Sequence, residues 1–318
     1  MSTEPISGVS EHSTPNSEHG SEGISILFVL ESIKFSFVPV FFCLVFIMSV
    51  GVYVVINLPN MYKANVLLLP NSDPGALAIP GQLGNLAALA GVDVGSSGNE
   101  KTTMALETIK SRVFLRNFIN DEKLKPDILA ANNWQPSTGR VLYDNQIYNV
   151  EKKEWVRDVN FPKTQTPSDL EAIEEFLEIF KVSEDKTNGM VRLSIVHYSP
   201  NLAKQWLDKI IERINERMRD IDSKESLMAI QFLESELSQV ENSEIRKMLY
   251  SLIEEQTKTL MLTKVKRDYA FTVVDPPVIP EKRFKPQRAL ILAMIFILTS
   301  LVLLGFSLIR YQLHMKRC

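Results

Sequence analysis

The residue types that most often make or break bonds are sparse in this 318-residue sequence and nowhere grouped. Four histidines are scattered: His12 and His19 in a Ser/Glu-rich beginning, His197 in a stretch that alternates like a strand, and His314 near the end. None belongs to an HExxH array, which would set two imidazoles one helical turn apart on a metal, and GxSxG and CxxC are also absent. Cys43 lies in a hydrophobic run and Cys318 is the last residue, so the long polar region between the runs can hold neither a disulfide framework nor a cysteine metal site. Glu171, Glu174, Glu175 and Glu178 invite an acid/base reading. They fall mostly opposite Leu170, Ile173, Phe176, Leu177 and Phe180 in the helical period, as a solvated helix face does. Asp220 and Asp222 have a DxD shape, but positions i and i+2 of a helix point apart and share a metal poorly. The segment Leu83–Gly91 carries glycines without GxxxxGK[ST], so it is not a phosphate loop; its apolar character allows a short helix packed in the core or a loop against a neighbour. No catalytic, cofactor or metal residue is expected.

With chemistry so thin, the organisation of the chain carries more. Formal net charge is −3, without a basic stripe, so no nucleic acid partner is expected. Charge is strongly segregated. From Phe35 to Ile56 there is no charged residue in 22 positions, and from Ala289 to Ile309 none in 21. At 1.5 Å per residue each run makes a helix ~32 Å long, enough for a hydrocarbon core of about 30 Å. The first run is too long, and starts too late, for the apolar part of a cleaved signal. The sequence therefore predicts a two-pass membrane protein: a disordered tail (1–33), a first span (34–57), a polar domain (58–287), a second span (288–310) and a short tail (311–318). Lys34, Arg310, Lys316 and Arg317 beside the termini, against Lys63, Lys282, Arg283 and Lys285 in the intervening loop with Arg288 at the boundary, leave the orientation undecided by charge.

Inside the polar domain, periodicity predicts a strand at 62–69, a helix over 102–119, a hairpin over 140–156 and a helix over 168–180. A strand follows at 190–198, and Ser199-Pro200 makes a helix start, with Ser as N-cap and Pro at the first helical position. The helix beyond it runs toward Val240, turns at 241–243 and returns from Glu244 to about Tyr269, a long helical part over 199–270. Phe271–Asp275 reads as a last strand. The segment 275–287 then holds four prolines, of which Pro277, Pro280 and Pro286 space out an extended, semi-rigid connector ahead of Arg288. Gly305 is the one glycine of the second span, without a GxxxG pattern.

Taken in order, these features resemble the polysaccharide co-polymerase family, the Wzz-type chain-length determinants of O-antigen and related surface polysaccharides. Carrying the resemblance are Tyr62-Lys63-Ala64, the Leu-Ala-Ala-Leu-Ala-Gly run at 86–91, Ala105 to Arg112 with Phe114, Leu115, Phe118 and Ile119, Ser199-Pro200 with Ala203 and Trp206, and Pro277, Pro280, Pro286 and Arg288 leading into the second span. The resemblance spans about residues 24 to 310. It implies an α+β fold in which two transmembrane helices flank a periplasmic α/β base with a long protruding helical hairpin. It also implies a homo-oligomeric ring in the bacterial inner membrane with both termini cytoplasmic, no enzymatic activity and no cofactor. The implied partners are a membrane polysaccharide polymerase and the growing polysaccharide chain, whose length the protein regulates. Gly305 is the candidate for packing in the second span. Two rivals remain open from sequence: a generic two-pass adaptor, and a membrane-anchored glycan transferase or hydrolase with an acidic cleft.

Overall fold

The computed structural model describes residues 26–71 and 97–315. The expected tail up to residue 25 with His12 and His19, the 83–91 segment and Cys318 lie outside the described residues. In chain order the elements are helix α1 (Ile26–Asn57), strand β1 (Met61–Pro70), helices α2 (Ser97–Lys110), α3 (Arg112–Asp121) and α4 (Lys125–Leu129), and strands β2 (Ala131–Gln135), β3 (Arg140–Tyr143), β4 (Tyr148–Asn149) and β5 (Glu154–Trp155). Helix α5 (Asp169–Ile179), strands β6 (Phe180–Glu184) and β7 (Val191–His197), and helices α6 (Pro200–Leu237) and α7 (Ser243–Val265) follow. Strands β8 (Phe271–Asp275) and β9 (Arg283–Lys285) and helix α8 (Arg288–Met315) complete the chain. They divide into two units: one of α1 and α8, the other from Leu58 to Gln287.

Helices α1 and α8 are each long and apolar enough to cross a membrane. Both exceed the charge-free runs. α1 begins at Ile26, inside the stretch expected as tail, and α8 continues five residues past Arg310. The reason is that charge ends a span but not a helix: Glu31, Lys34 and Arg310 are all good helix formers.

In the second unit β1 is the central strand of an antiparallel sheet ordered β6-β7-β1-β8, with β9 also on β1. Alternation sends Ala64, Val66 and Leu68 of β1 to one face, opposite Ile195, Leu193 and Val191 of β7. All six are buried. Helices contribute to the same core: α2 with Ala105, Leu106 and Ile109, α3 with Phe114, Leu115, Phe118 and Ile119, α5 with Ala172, Ile173 and Phe176, and α6 with Ala203, Trp206, Leu207, Ile210 and Ile214. Phe176 is the hinge of the aromatic packing, 5.8 Å from Phe118, 5.4 Å from Phe180 and 6.0 Å from Trp206 between ring centroids.

Ser199 caps α6 as expected, its hydroxyl accepting from the Leu202 amide, with Pro200 in the first turn. Elsewhere local chemistry departs from the sequence reading. The single helix expected over 102–119 is two, because Ser111 leaves helical geometry and caps α3 through the Phe114 amide. The hairpin expected within 140–156 is not formed: β3 pairs back with β2, and β4 pairs forward with β5. The real turn of the first hairpin is at 136–139, where Gly139 takes φ +68° and its amide reaches Gln135 O. Asp144, expected as a hairpin turn, instead accepts from the Gln146 amide and bends the chain out of that pairing. Strand β6 was not expected as a separate element; Phe180 closes α5 and opens the strand at once.

Among the described residues the buried histidine, His197, is structural. His197, 3% exposed, accepts from the Ser199 amide through Nδ1 (3.0 Å), which leaves the proton on Nε2, 3.0 Å from Asp127 O. Trp206 packs on the ring at 4.9 Å. Burial lowers the pKa below the ordinary 6.5, outweighing the Asp127 carbonyl. As pH falls through 6.5 the unfolded chain takes up a proton that the folded chain refuses, so folding should lose up to about 1.4 kcal/mol per pH unit. Thermal unfolding in detergent at pH 7.5 and 5.5, compared with His197→Gln, reads this. A variant with the parent's pH dependence would rule it out.

Candidate functional site

The proline-rich segment is not a free strut over its whole length; its far end re-enters the sheet. β8 lies along Leu67–Pro70 of β1, and β9 lies along Met61–Tyr62 of the same strand. Leu67 faces Asp275. Five residues back along β1, an uninterrupted ladder would set Pro280 opposite Tyr62, but Arg283 stands there, so three residues are surplus. Proline has no amide to donate, and the surplus is thrown out where Pro277 and Pro280 fall. Pro277 is buried, Pro280 and Pro286 partly so, and Val278 and Ile279 between the first two are exposed. Lys63 Nζ lies 5.1 Å from the Phe284 ring and adds a cation–π contact between β1 and β9. Pro277 and Pro280 thus lie in the excursion between β8 and β9, and Pro286 directly follows β9.

Arg288 and Gly305 belong to the helical unit. There α1 and α8 pack antiparallel, since the end of α1 meets the start of α8. Arg288 donates to Ile56 O at 3.2 Å. A guanidinium is well placed there, because the last carbonyls of a helix lack internal partners and carry the negative end of the dipole. Gly305 lies 17 residues further along α8, ~25 Å on, and a Cβ added to it meets nothing within 4 Å among the described residues. The glycine that permits close approach is Gly51 of α1, where a Cβ would stand 3.3 Å from Ile295 Cδ1 and 4.0 Å from Leu292. The sequence reading looked only at the second span. Gly51, in the first charge-free run, was the available signal.

Helices α6 and α7 form the third candidate surface. The part of α6 on the sheet is apolar, but above Ile214 polar side chains enter the buried face. Asn215 accepts from the amides of Ala270 (2.7 Å) and Phe271 (2.9 Å) and donates to Phe271 O (3.2 Å), which docks the start of β8 onto α6. Asp222, one half of the DxD pair, is bound by Lys101 Nζ (3.1 Å) and Tyr269 OH (2.7 Å). It is a structural carboxylate here. On the outer side, Glu122 is clasped by Lys209 and Arg213, and Lys209 above all holds its pKa below the usual carboxylate range. Further out Leu227, Met228 and Phe232 of α6 and Ile245, Met248, Tyr250 and Met261 of α7 are exposed. Three methionines with aromatics and aliphatics on one helix pair are a contact surface in search of cover.

With these geometries in view, the chain is similar in structure to polysaccharide co-polymerases. A full-length bacterial polysaccharide co-polymerase shares 12% identity at a TM-score of 0.39, covering 91% of this chain and 98% of its own. A fragment of WzzB, a polysaccharide co-polymerase from Salmonella Typhimurium, shares 13% at 0.34, covering 71% and 100%. No family model matches the sequence, and no curated protein matches it.

The helix pair supplies a test. Gly51→Leu should lower the melting temperature of the detergent-dispersed protein by several degrees, while Gly305→Leu leaves it unchanged. Equal losses in the two variants would remove Gly51 as the contact between the spans.

Proposed function

We propose that this protein is a non-enzymatic regulator of the chain length of a surface polysaccharide, O-antigen or a related polymer, acting as a homo-oligomer beside a membrane polysaccharide polymerase. The observation that carries the reading is the ordered series of residues from Tyr62 through Ser199-Pro200 and Trp206 to Pro277, Pro280, Pro286 and Arg288, set between two apolar helices. Those residues also have physical roles that suit it. Ser199 and Pro200 start α6 at the sheet, Trp206 anchors it in the core, and the proline segment returns to β1 before the second span.

On this reading the span pair sits in the bacterial inner membrane, the unit from Leu58 to Gln287 is periplasmic, and both termini are cytoplasmic. The 38 residues of α6, ~57 Å long, and the 23 of α7 form a hairpin protruding beyond the sheet. Its exposed methionines and aromatics are covered by neighbouring copies in a ring. The open side of Gly305 receives a helix of the polymerase or of a second copy. The strut at 275–287 fixes how the periplasmic unit is carried, and the growing glycan runs along the assembly.

Two measurements test this. Deleting the gene should replace a clustered set of long glycan chains on a gel by short, unregulated ones, and a plasmid copy should restore the cluster. An unchanged distribution in a strain without a second such gene ends the reading. Separately, Met228→Glu with Phe232→Glu should reduce the mass of the detergent-solubilised assembly by light scattering while circular dichroism stays as in the parent. An unchanged mass would remove the helix face as the interface.

A further inference from the structure

Between α4 and α5 the chain makes an excursion, residues 131–167, that stands outside the main hydrophobic core. It is built of two small hairpins and a loop, and it holds two of the three tryptophans of the whole sequence. Its rings form a row. The Tyr143 and Tyr148 centroids are 6.1 Å apart at an interplanar angle of 60°, and those of Tyr148 and Trp155 are 5.0 Å apart at 58°. At these angles the rings meet tilted or edge to face and not in parallel stacks, so each neighbour covers only part of a π face. All three side chains are partly exposed.

The row is held in place from beneath. Tyr143 donates its hydroxyl to the Asp127 carboxylate at 2.5 Å, and Asp127 O in turn meets His197 Nε2 of the core. Burial and that carboxylate raise the Tyr143 pKa well above the ordinary phenol range, so the hydroxyl stays a donor. Tyr148 and Trp155 face each other across the β4–β5 pair. The hydroxyl of Tyr148 and the indole N–H of Trp155 engage no other described residue. The loop that follows is pinned as firmly. Arg157 donates to Gln165 O (2.9 Å) and Thr164 O (2.8 Å) and forks onto Glu171, whose pKa it holds below the usual range. On this fixed loop Phe161 keeps 96% of its surface in water. An excursion that holds rings toward solvent on braced backbone is not explained by burial.

The surroundings select the occupant. Residues 131–167 contain eight Asn and Gln, with five basic and four acidic residues, for a net charge of +1. So balanced a surface offers little to a nucleic acid or an anionic headgroup. Aromatic faces interleaved with amides suit a molecule that is apolar on the face of its rings and hydroxylated around their edge. The C–H bonds of one pyranose face carry partial positive charge and pack on a π cloud, while amides both donate to and accept from hydroxyls.

We propose that the Tyr143–Tyr148–Trp155 row is a contact site for a neutral, chain-like saccharide, with Tyr148 and Trp155 as the stacking residues and Tyr143 as the positioning residue that fixes the row to Asp127. The inference rests on the reading of the protein as a polysaccharide chain-length regulator and gives the glycan a place on the periplasmic unit. Weak contacts of this kind, repeated around an oligomer, add through effective concentration and not through the strength of any one site.

The test uses the full chain in detergent and oligosaccharides of several repeat units, released by mild acid from the surface polysaccharide of the host strain. Saturation-transfer difference NMR should place transfer on pyranose C–H protons, with saturable binding in the millimolar range. Tyr148→Ala and Trp155→Ala should each weaken it at least about tenfold, and Trp155→Phe should recover much of it. Melting temperature and assembly mass should stay as in the parent, since the row lies outside the core. No transfer to the parent protein, parent-like binding by both alanine variants, or a change of assembly mass that marks the row as a contact between copies would each overturn the proposal. The deletion phenotype keeps the two claims apart. If glycan length depends on the gene but the oligosaccharide does not bind, the site falls and the function stands; if glycan length is indifferent to the gene, the function falls whatever binds.

Discussion

Everything in the unit from Leu58 to Gln287 depends on one strand being hydrogen-bonded along both edges. β1 is the first stretch after the first apolar helix, and three separate parts of the chain come back to it: β7 on one side, β8 and β9 on the other. The last of these matters most for topology. Met61 pairs with Lys285, so the chain enters the unit and leaves it one strand spacing apart, about 4.8 Å. Within the helical unit the same closeness appears as the bond from Arg288 to Ile56 O. A residue that reads in sequence as a basic flank of the second span acts in the structure as a cap for the end of the first.

The long helix α6 changes character along its length, and the change divides what folds from what is presented. Over the sheet its buried face is Trp206, Leu207, Ile210 and Ile214, and burial of that much apolar surface is the dominant stabilising term. From Asn215 onward polar side chains join Met218 on the buried face, and Asn215 and Asp222 work as specific links to the returning chain and to α2. Polar links are directional and add little net stability apiece, but a buried group left without its partner costs more than the bond contributes. The outer half of α6 and its partner α7 are therefore placed by a few specific bonds above a strongly held base. Such a region belongs to the lower end of a protein's range of local stability, where conformational exchange and partner binding are usual.

How much of this is legible in the sequence depends on whether the signal is local. The two spans are legible because charge is excluded over twenty consecutive residues, and the start of α6 because Ser199-Pro200 is a local device. The break at Ser111 has the same kind of local signal, but the helical period continues across it and masks the cap. Strand pairing is a different matter. Nothing near Val141 says that its partner lies before it and not after it; Pro136 and Gly139 mark a turn just as Asp144 and Asn145 do, and tertiary contacts choose between them. The candidate site behaves the same way. Pro277, Pro280 and Pro286 were visible, but that their segment rejoins β1 follows from a register that no single residue announces. Gly51 and Gly305 look alike in sequence, and only the facing side chain, Ile295 at one and open space at the other, distinguishes them.

On the proposed function, the protein makes no bond and influences polymer length only through where it holds things and how long it holds them. The features that stand out here are of that kind. The unit is closed on itself at β1, the outer helices carry methionines and aromatics that need a partner, and an excursion with its own brace offers rings to water. Each is a surface, and none gains from being copied once. A weak contact to a repeating polymer becomes selective when several copies are fixed at set distances, because a chain must reach a certain extent before it can touch more than one. Length then enters as the number of contacts a chain can make at the same time, a quantity set by subunit spacing and site affinity together. On that reading the discrimination between short and long glycans would belong to the assembly, and the single chain would supply two ingredients, the α6–α7 face to set the spacing and the proposed Tyr143–Tyr148–Trp155 site, weak enough to let go.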